Sequence, residues 1–367
     1  DKTSVNSTNG IGGSAWVALV LVFLSGFAAL IYQVLWMKQL GLLFGNTSHA
    51  ASATLASFFA GLATGSWFLG RRVAKSTNPM RTYAWLEVGI AVTALLYFAI
   101  MMIYQLVYPS IYQNVGGGIL LLVKFILSLL LVFPPAFCMG GTIPVMGQFM
   151  VRKRDAFGKL SALMYGINTL GAATGAALAG FYLPPWIGFN LTCGLAIAVS
   201  ILIAIAAFFL SRNPLPAVVE LDDPADPDPE PAEEDLKPMT RQERRALERL
   251  EGRKSKTSRE AQSDVEDKVS DRPFPIGRRA VLVLCFLSGF GVLALEVLWT
   301  RMFSQVLENS VYTFATILVV VLLCLAAGAI ASSQLARLKV SPHLILAMLL
   351  VVGAGAVVGT PAMFMKL

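Results

Sequence analysis

The stretch FLSGFAALIYQVLW at residues 23–36 returns as FLSGFGVLALEVLW at residues 286–299. The two copies align without a gap, and the same offset matches Asn46 to Asn309 and Gly65 to Gly328 in the following hydrophobic segment. Two helices and their connection are therefore duplicated. Each copy sits inside a long apolar run, so the repeated unit is a pair of membrane helices. Two such units on either side of a charged linker predict two pseudo-equivalent helical halves.

Composition agrees with immersion in lipid. At 56% hydrophobic and 14% charged residues, the chain is too apolar for a water-soluble domain of this length. Of its 22 acidic residues, 17 fall between Glu220 and Asp271, which leaves Asp1, Glu87, Asp155, Glu296 and Glu308 for the rest of the chain. The formal charge of +7 does not mark a nucleic-acid binder, because the basic residues outside the linker cluster at the ends of apolar runs. The four cysteines, Cys138, Cys193, Cys285 and Cys324, lie within apolar segments and read as small buried hydrophobes. His49 and His343 stand alone, so no metal site and no cofactor site is expected.

Runs long enough to span a hydrocarbon core of about 30 Å, which takes roughly 20 apolar residues, occur at about 15–40, 48–70, 82–107, 118–150, 160–184 and 188–211. After the linker come runs near 280–305, 311–335 and 343–365. Arg71, Arg72, Lys75 and Arg81 follow the second run, Arg152, Lys153, Arg154 and Lys159 the fourth, Arg212 the sixth, and Arg337 and Lys339 the eighth. The positive-inside rule puts those ends, the N-terminus and the linker in the cytoplasm, so the halves run parallel. The predicted class is all-α: residues 1–212 a six-helix bundle, 213–278 a charged linker, and 279–367 the first three helices of a second, repeat-related bundle. The Pro- and acid-rich segment from Pro214 to Pro238 cannot bury enough apolar surface to fold, whereas capping-box spacing at Thr240 and Glu243 predicts a short surface helix near 240–254. An opening on Asp1 and an ending after a ninth helix predict further residues on both sides.

Glu296 is the strongest candidate for chemistry, since a carboxylate in the middle of the seventh helix is costly unless paired or hydrated. Its repeat-equivalent is Gln33, so an acid and its amide occupy corresponding helices. Two readings stand: a proton- or cation-binding site, or an interhelical hydrogen bond from a protonated Glu296. Asn168 lines the cleft or bonds a neighbour, and Lys124 lines the same pathway or snorkels to the interface. Glu87 is expected to pair with Arg71, Arg72 or Arg81 and brace a loop. Pro134, Pro135, Gly140, Gly141 and Pro144 remove backbone donors over ten residues of the fourth helix and predict a kink or break there. Gly61 with Gly65, and Gly171 with Gly175, have the spacing that lets helix backbones approach closely.

Several strings carry a family resemblance: FLSGFAALIYQVLW with FGNT from Phe44, ASFFAGLATGSWFLGRR from Ala56, MGGTIP from Met139, and YGINTLGAATGAALAGF from Tyr165. Together they resemble the membrane portion of fused major-facilitator and spermidine-synthase-like proteins. The resemblance implies a major-facilitator-like bundle in a bacterial inner membrane. It also implies an aminopropyltransferase-type domain, C-terminal or separate, lying outside this chain. Gln33 replaces the acid of the family's YE pair, which Glu296 keeps in the second copy. The segment from Gly65 to Arg72 also looks like the major-facilitator signature between the second and third helices, without its aspartate. Three functions fit: a membrane module of a spermidine-synthase-like protein that moves a polyamine-like substrate, a stand-alone transporter of a small organic cation, and a noncatalytic scaffold among membrane protein subunits.

Overall fold

The computed structural model describes residues 13–44, 48–73, 76–114, 116–150, 154–212, 278–306, 310–335 and 342–365. Every regular element among them is helical: α1 Gly13–Phe44, α2 Ser48–Val73, α3 Pro79–Asn114, α4 Gly117–Met150, α5 Arg154–Ala177, α6 Leu183–Arg212, α7 Arg278–Val306, α8 Val311–Leu335 and α9 Pro342–Phe364. The expected helix near 240–254 and the extended segment before it lie outside the described residues. Eight continuous stretches are long and apolar enough to cross a membrane, one of them the 53 residues Leu160–Arg212. At 1.5 Å per residue that stretch measures about 80 Å against a core of about 30 Å, so it crosses twice. The backbone divides it at Gly188, whose φ of 79° and ψ of 168° leave helical geometry, inside the connection expected between Pro184 and Gly188.

The duplication is visible in the element boundaries. α2 and α8 start at Ser48 and Val311, α3 and α9 at Pro79 and Pro342, so each second helix and third helix are spaced alike in both copies. The start of α3 also shows why the helix begins there. Asn78 accepts a hydrogen bond from the Arg81 amide at 3.1 Å and passes its own amide to the Ser211 carbonyl at 3.1 Å. An Asn cap followed by proline in the first helical position is a strong start signal, and here the cap also ties α3 to the end of α6.

Two helix pairs of the first bundle, α2 with α4 and α1 with α5, cross with backbone against backbone at glycines. At the α2–α4 crossing, a Cβ on Gly61 would meet Ala136 and the Phe133 carbonyl, one on Gly65 would meet the Phe137 carbonyl, and one on Gly140 would meet the Leu62 carbonyl. At the α1–α5 crossing, Gly171 and Gly175 leave room for the carbonyls of Phe23 and Phe27, and Gly26 leaves room for Asn168. Lipid supplies no hydrophobic drive between helices, so this contact of backbone on backbone is what associates them. The paired glycines seen in the sequence are the contact points.

The fourth helix is assigned as one element from Gly117 to Met150 with Pro134, Pro135 and Pro144, residues of the expected kink or break, inside it. It packs along α2 and α3, and Gly140 and Gly141 leave room there for Leu62, Leu69 and Leu86.

Apolar packing of the first bundle divides into two clusters. One is built on Ala28–Leu40 of α1, Ile90–Tyr104 of α3 and Cys193–Ile197 of α6, and also takes in Phe314 and Leu318 of α8. The other is built on Ala18–Val22, Met80–Leu86, Val145–Met150 and Ile203–Ala207. Among the helices after the linker, α8 packs along α5. Beside Ala177 a single π turn, Leu178–Tyr182, brings Gly180 against Ala315, and Phe181 meets Tyr312 with ring centroids 6.0 Å apart. Cys193 is buried and Cys138 half-buried, but Cys285 and Cys324 are exposed. Of the four cysteines expected to be buried, only Cys193 is fully buried.

Candidate functional site

The face of α1 that crosses α5 also carries the predicted polar position. Gly26 and Gln33 are seven residues apart, two helical turns, and therefore share one stripe. Asn168 of α5 lies over Gly26, where an added Cβ would come within 2.8 Å of its Oδ1. Further along the stripe Gln33 is 3% exposed, and its Nε2 makes no hydrogen bond among the described residues. A buried amide nitrogen without an acceptor is an uncompensated loss of solvation.

Glu296 is 5% exposed, and its Oε1 likewise has no hydrogen-bond partner among the described residues. Among the described side chains of α7 it is the one buried position; the others are half-buried or exposed. The neighbouring Val297 packs on the cluster that includes α1 and α8. Thr300, one turn on, gives its hydroxyl to the Glu296 carbonyl at 2.7 Å rather than to the carboxyl group. The helix thus presents to the protein interior the single group that costs most to place there. Lys124 is half-buried two turns into α4. The structure brings Asn168 onto the Gln33 stripe, and it buries Gln33 and Glu296 with an unsatisfied atom on each.

Sequence reasoning missed a further polar group. Glu87 does not pair with Arg71, Arg72 or Arg81: it is 1% exposed and accepts a hydrogen bond from Ser25 of α1 at 2.6 Å. Arg71 stacks on Trp67 at 4.3 Å and Arg72 on Phe68 at 4.9 Å, both from the ring centroids, while Arg81 is exposed at the start of α3. The distance along the helix explains the correction. Eight residues separate Glu87 from Pro79, about 12 Å of rise, and guanidinium groups at a membrane-facing end turn toward the interface. Its place in an otherwise carboxylate-free helix was the signal that could have marked it as internal.

Comparison with known families decides what class of protein carries this arrangement. The model of the Major Facilitator Superfamily matches residues 114–366, well over half of the chain. The chain belongs to the Major Facilitator Superfamily. It is a membrane transporter-like module whose apolar helices require a lipid bilayer. No curated protein and no solved structure matches it. In this major-facilitator chain the arginines that end α2 stack on aromatic rings of their own helix. Nor do the described residues contain a cluster of His, Cys, Asp or Glu able to hold a metal ion.

Proposed function

We propose that the chain moves a small organic cation, of polyamine type, and that Glu296 and Gln33 form the point where the cation is held. The observation that carries this reading is the burial of Glu296 on a helix whose other described side chains are half-buried or exposed, with a carboxyl oxygen that no described group satisfies. An ammonium group supplies both the missing charge and the missing donors, and the amide of Gln33 offers an oxygen at the repeat-equivalent position. Asn168 and Lys124 lie along the same pathway in this reading. Lys124 marks its non-cytoplasmic mouth, where a fixed positive charge limits how long a cation stays.

The halves run parallel in this proposal, with the N-terminus and linker in the cytoplasm of a bacterial inner membrane. Support comes from α5 and α8, which meet near the end of one and the start of the other. Successive spans alternate direction, so α8 then starts on the side where α5 ends, and α7 crosses in the sense of α1. Uptake into proteoliposomes tests the function: labelled putrescine and spermidine are expected to accumulate, and a dicarboxylate of similar length is not. Equal handling of the cations and the dicarboxylate would remove the reading.

The family strings favour a second, compatible role as the membrane module of an aminopropyltransferase-type domain outside residues 1–367. Such a domain would use at the cytoplasmic face what the bundle moves. Transferase activity that co-purifies with the native membrane protein supports this role; a transporter purified free of any such activity counts against it.

A further inference from the structure

The two apolar clusters of the first bundle are separated by one polar layer. On α1 it falls at Ser25, between Val22 and Ala28; on α3 at Glu87, between Leu86 and Ile90; on α6 at Ser200, between Ile197 and Ile203. Ser25 is 7%, Glu87 1% and Ser200 0% exposed. Three helices thus place their polar residues at one level. Ser25 gives its hydroxyl to Glu87 Oε1 at 2.6 Å. Ser200 and Tyr83 face the same carboxyl group, Tyr83 with its own hydroxyl directed at the Leu21 carbonyl at 3.3 Å. Among the described residues Glu87 Oε2 and Ser200 Oγ have no hydrogen-bond partner.

We propose that Glu87, with Ser25, Ser200 and Tyr83, is a proton-binding site of the first bundle, distinct from Glu296. The groups that face Glu87 from the surrounding helices are Ser25 and Tyr32 of α1, Tyr83 of α3, Cys138 of α4 and Ser200 of α6. All are hydroxyls or a thiol; none is a cation. An ionised Glu87 would hold a full negative charge at a position 1% exposed, with one donor on one oxygen and no described donor on the other. A proton on Oε2 cancels that charge and turns the orphaned oxygen into a donor toward the unpaired hydroxyl of Ser200. The same proton therefore satisfies both unpartnered atoms. Repeat symmetry does not supply this site: the position equivalent to Glu87 is Leu350, 54% exposed. The first half carries its acid in its third helix and the second half in its first. Ser25 also adjoins Gly26, the residue that seats Asn168, so the hydrogen bond to Glu87 and the α1–α5 crossing share one turn of α1.

Infrared difference spectra of the full chain in lipid nanodiscs at neutral pH, recorded in H2O and D2O, test the site without any transported substrate. The wild type is expected to show a deuterium-sensitive stretch of a protonated carboxyl carbonyl. One component should vanish in Glu87→Gln and survive in Glu296→Gln. In Ser25→Ala, which leaves the carboxyl group in place, that component should shift in frequency because its carbonyl loses a donor. A spectrum of folded Glu87→Gln identical to wild type, or no shift in Ser25→Ala, overturns the proposal. So does loss of the component on adding sodium at constant pH, which would assign the site to a metal cation.

Discussion

Replacing Gly171 and Gly175 by alanine, singly and together, probes the contact on which the bundle rests. A Cβ on Gly175 would lie 2.9 Å from the Phe27 carbonyl carbon and 3.1 Å from its Cα, and one on Gly171 would lie equally close to Phe23. Comfortable carbon separations are about 3.5–4.0 Å, so α1 and α5 must part by nearly an ångström over about one turn. Overpacking of this kind costs about 1–3 kcal/mol per site, and carbonyl oxygens offer no rotamer by which to escape. Gly166 and Gly194 are the internal controls, because nothing lies within 4 Å of an added Cβ there. Alanine at those positions is expected to be neutral or to stabilise the helix by about 0.5–1 kcal/mol. Unfolding in mixed micelles of rising SDS content measures the difference. At 1.4 kcal/mol per decade, a 2 kcal/mol loss changes the folded-to-unfolded ratio roughly 30-fold. Equal midpoints for Gly171→Ala, Gly175→Ala and Gly166→Ala would show that the α1–α5 crossing is not closely packed.

Further outcomes follow from single residues. Gly188→Ala should cost about 1–3 kcal/mol although its surroundings are open, because φ of 79° is closed to a residue with a Cβ; an unchanged SDS midpoint would contradict this. Gln33→Glu should destabilise the protein by adding a second unpaired buried acid, and Glu296→Gln in the same chain should restore it, with a coupling energy of about 1 kcal/mol or more. Strict additivity of the two changes would separate the positions. Reporter fusions after Arg212 and Leu335 should lie on the same side of the membrane, and one after Asn114 on the other. Any other pattern breaks the parallel halves.

Helix positions were legible from hydropathy, and the observed helices mostly exceed the apolar runs by a few residues because caps such as Asn78 and short polar turns extend them. Glycine spacing marked Gly61, Gly65, Gly171 and Gly175 as contact points. It left their partners open, since which helix meets which is set by the three-dimensional arrangement. Glu296 was legible because a carboxylate in an apolar run has few innocent explanations. Glu87 was misread because proximity in sequence to Arg71, Arg72 and Arg81 was taken for proximity in space, whereas helical rise carries it two turns inward. Which cysteines are exposed could not be read, since an apolar helix looks the same in sequence whether protein or lipid covers it.

The central claim is that the carboxyl group of Glu296 holds the transported cation, and uptake of labelled spermidine into proteoliposomes by wild type, Glu296→Gln and Glu296→Asp tests it most directly. Loss of uptake by at least about tenfold in Glu296→Gln, as expected when a charge-assisted contact worth about 1.5–3 kcal/mol is removed, with partial retention in Glu296→Asp, is the predicted result. Undiminished uptake by a folded Glu296→Gln protein would contradict it.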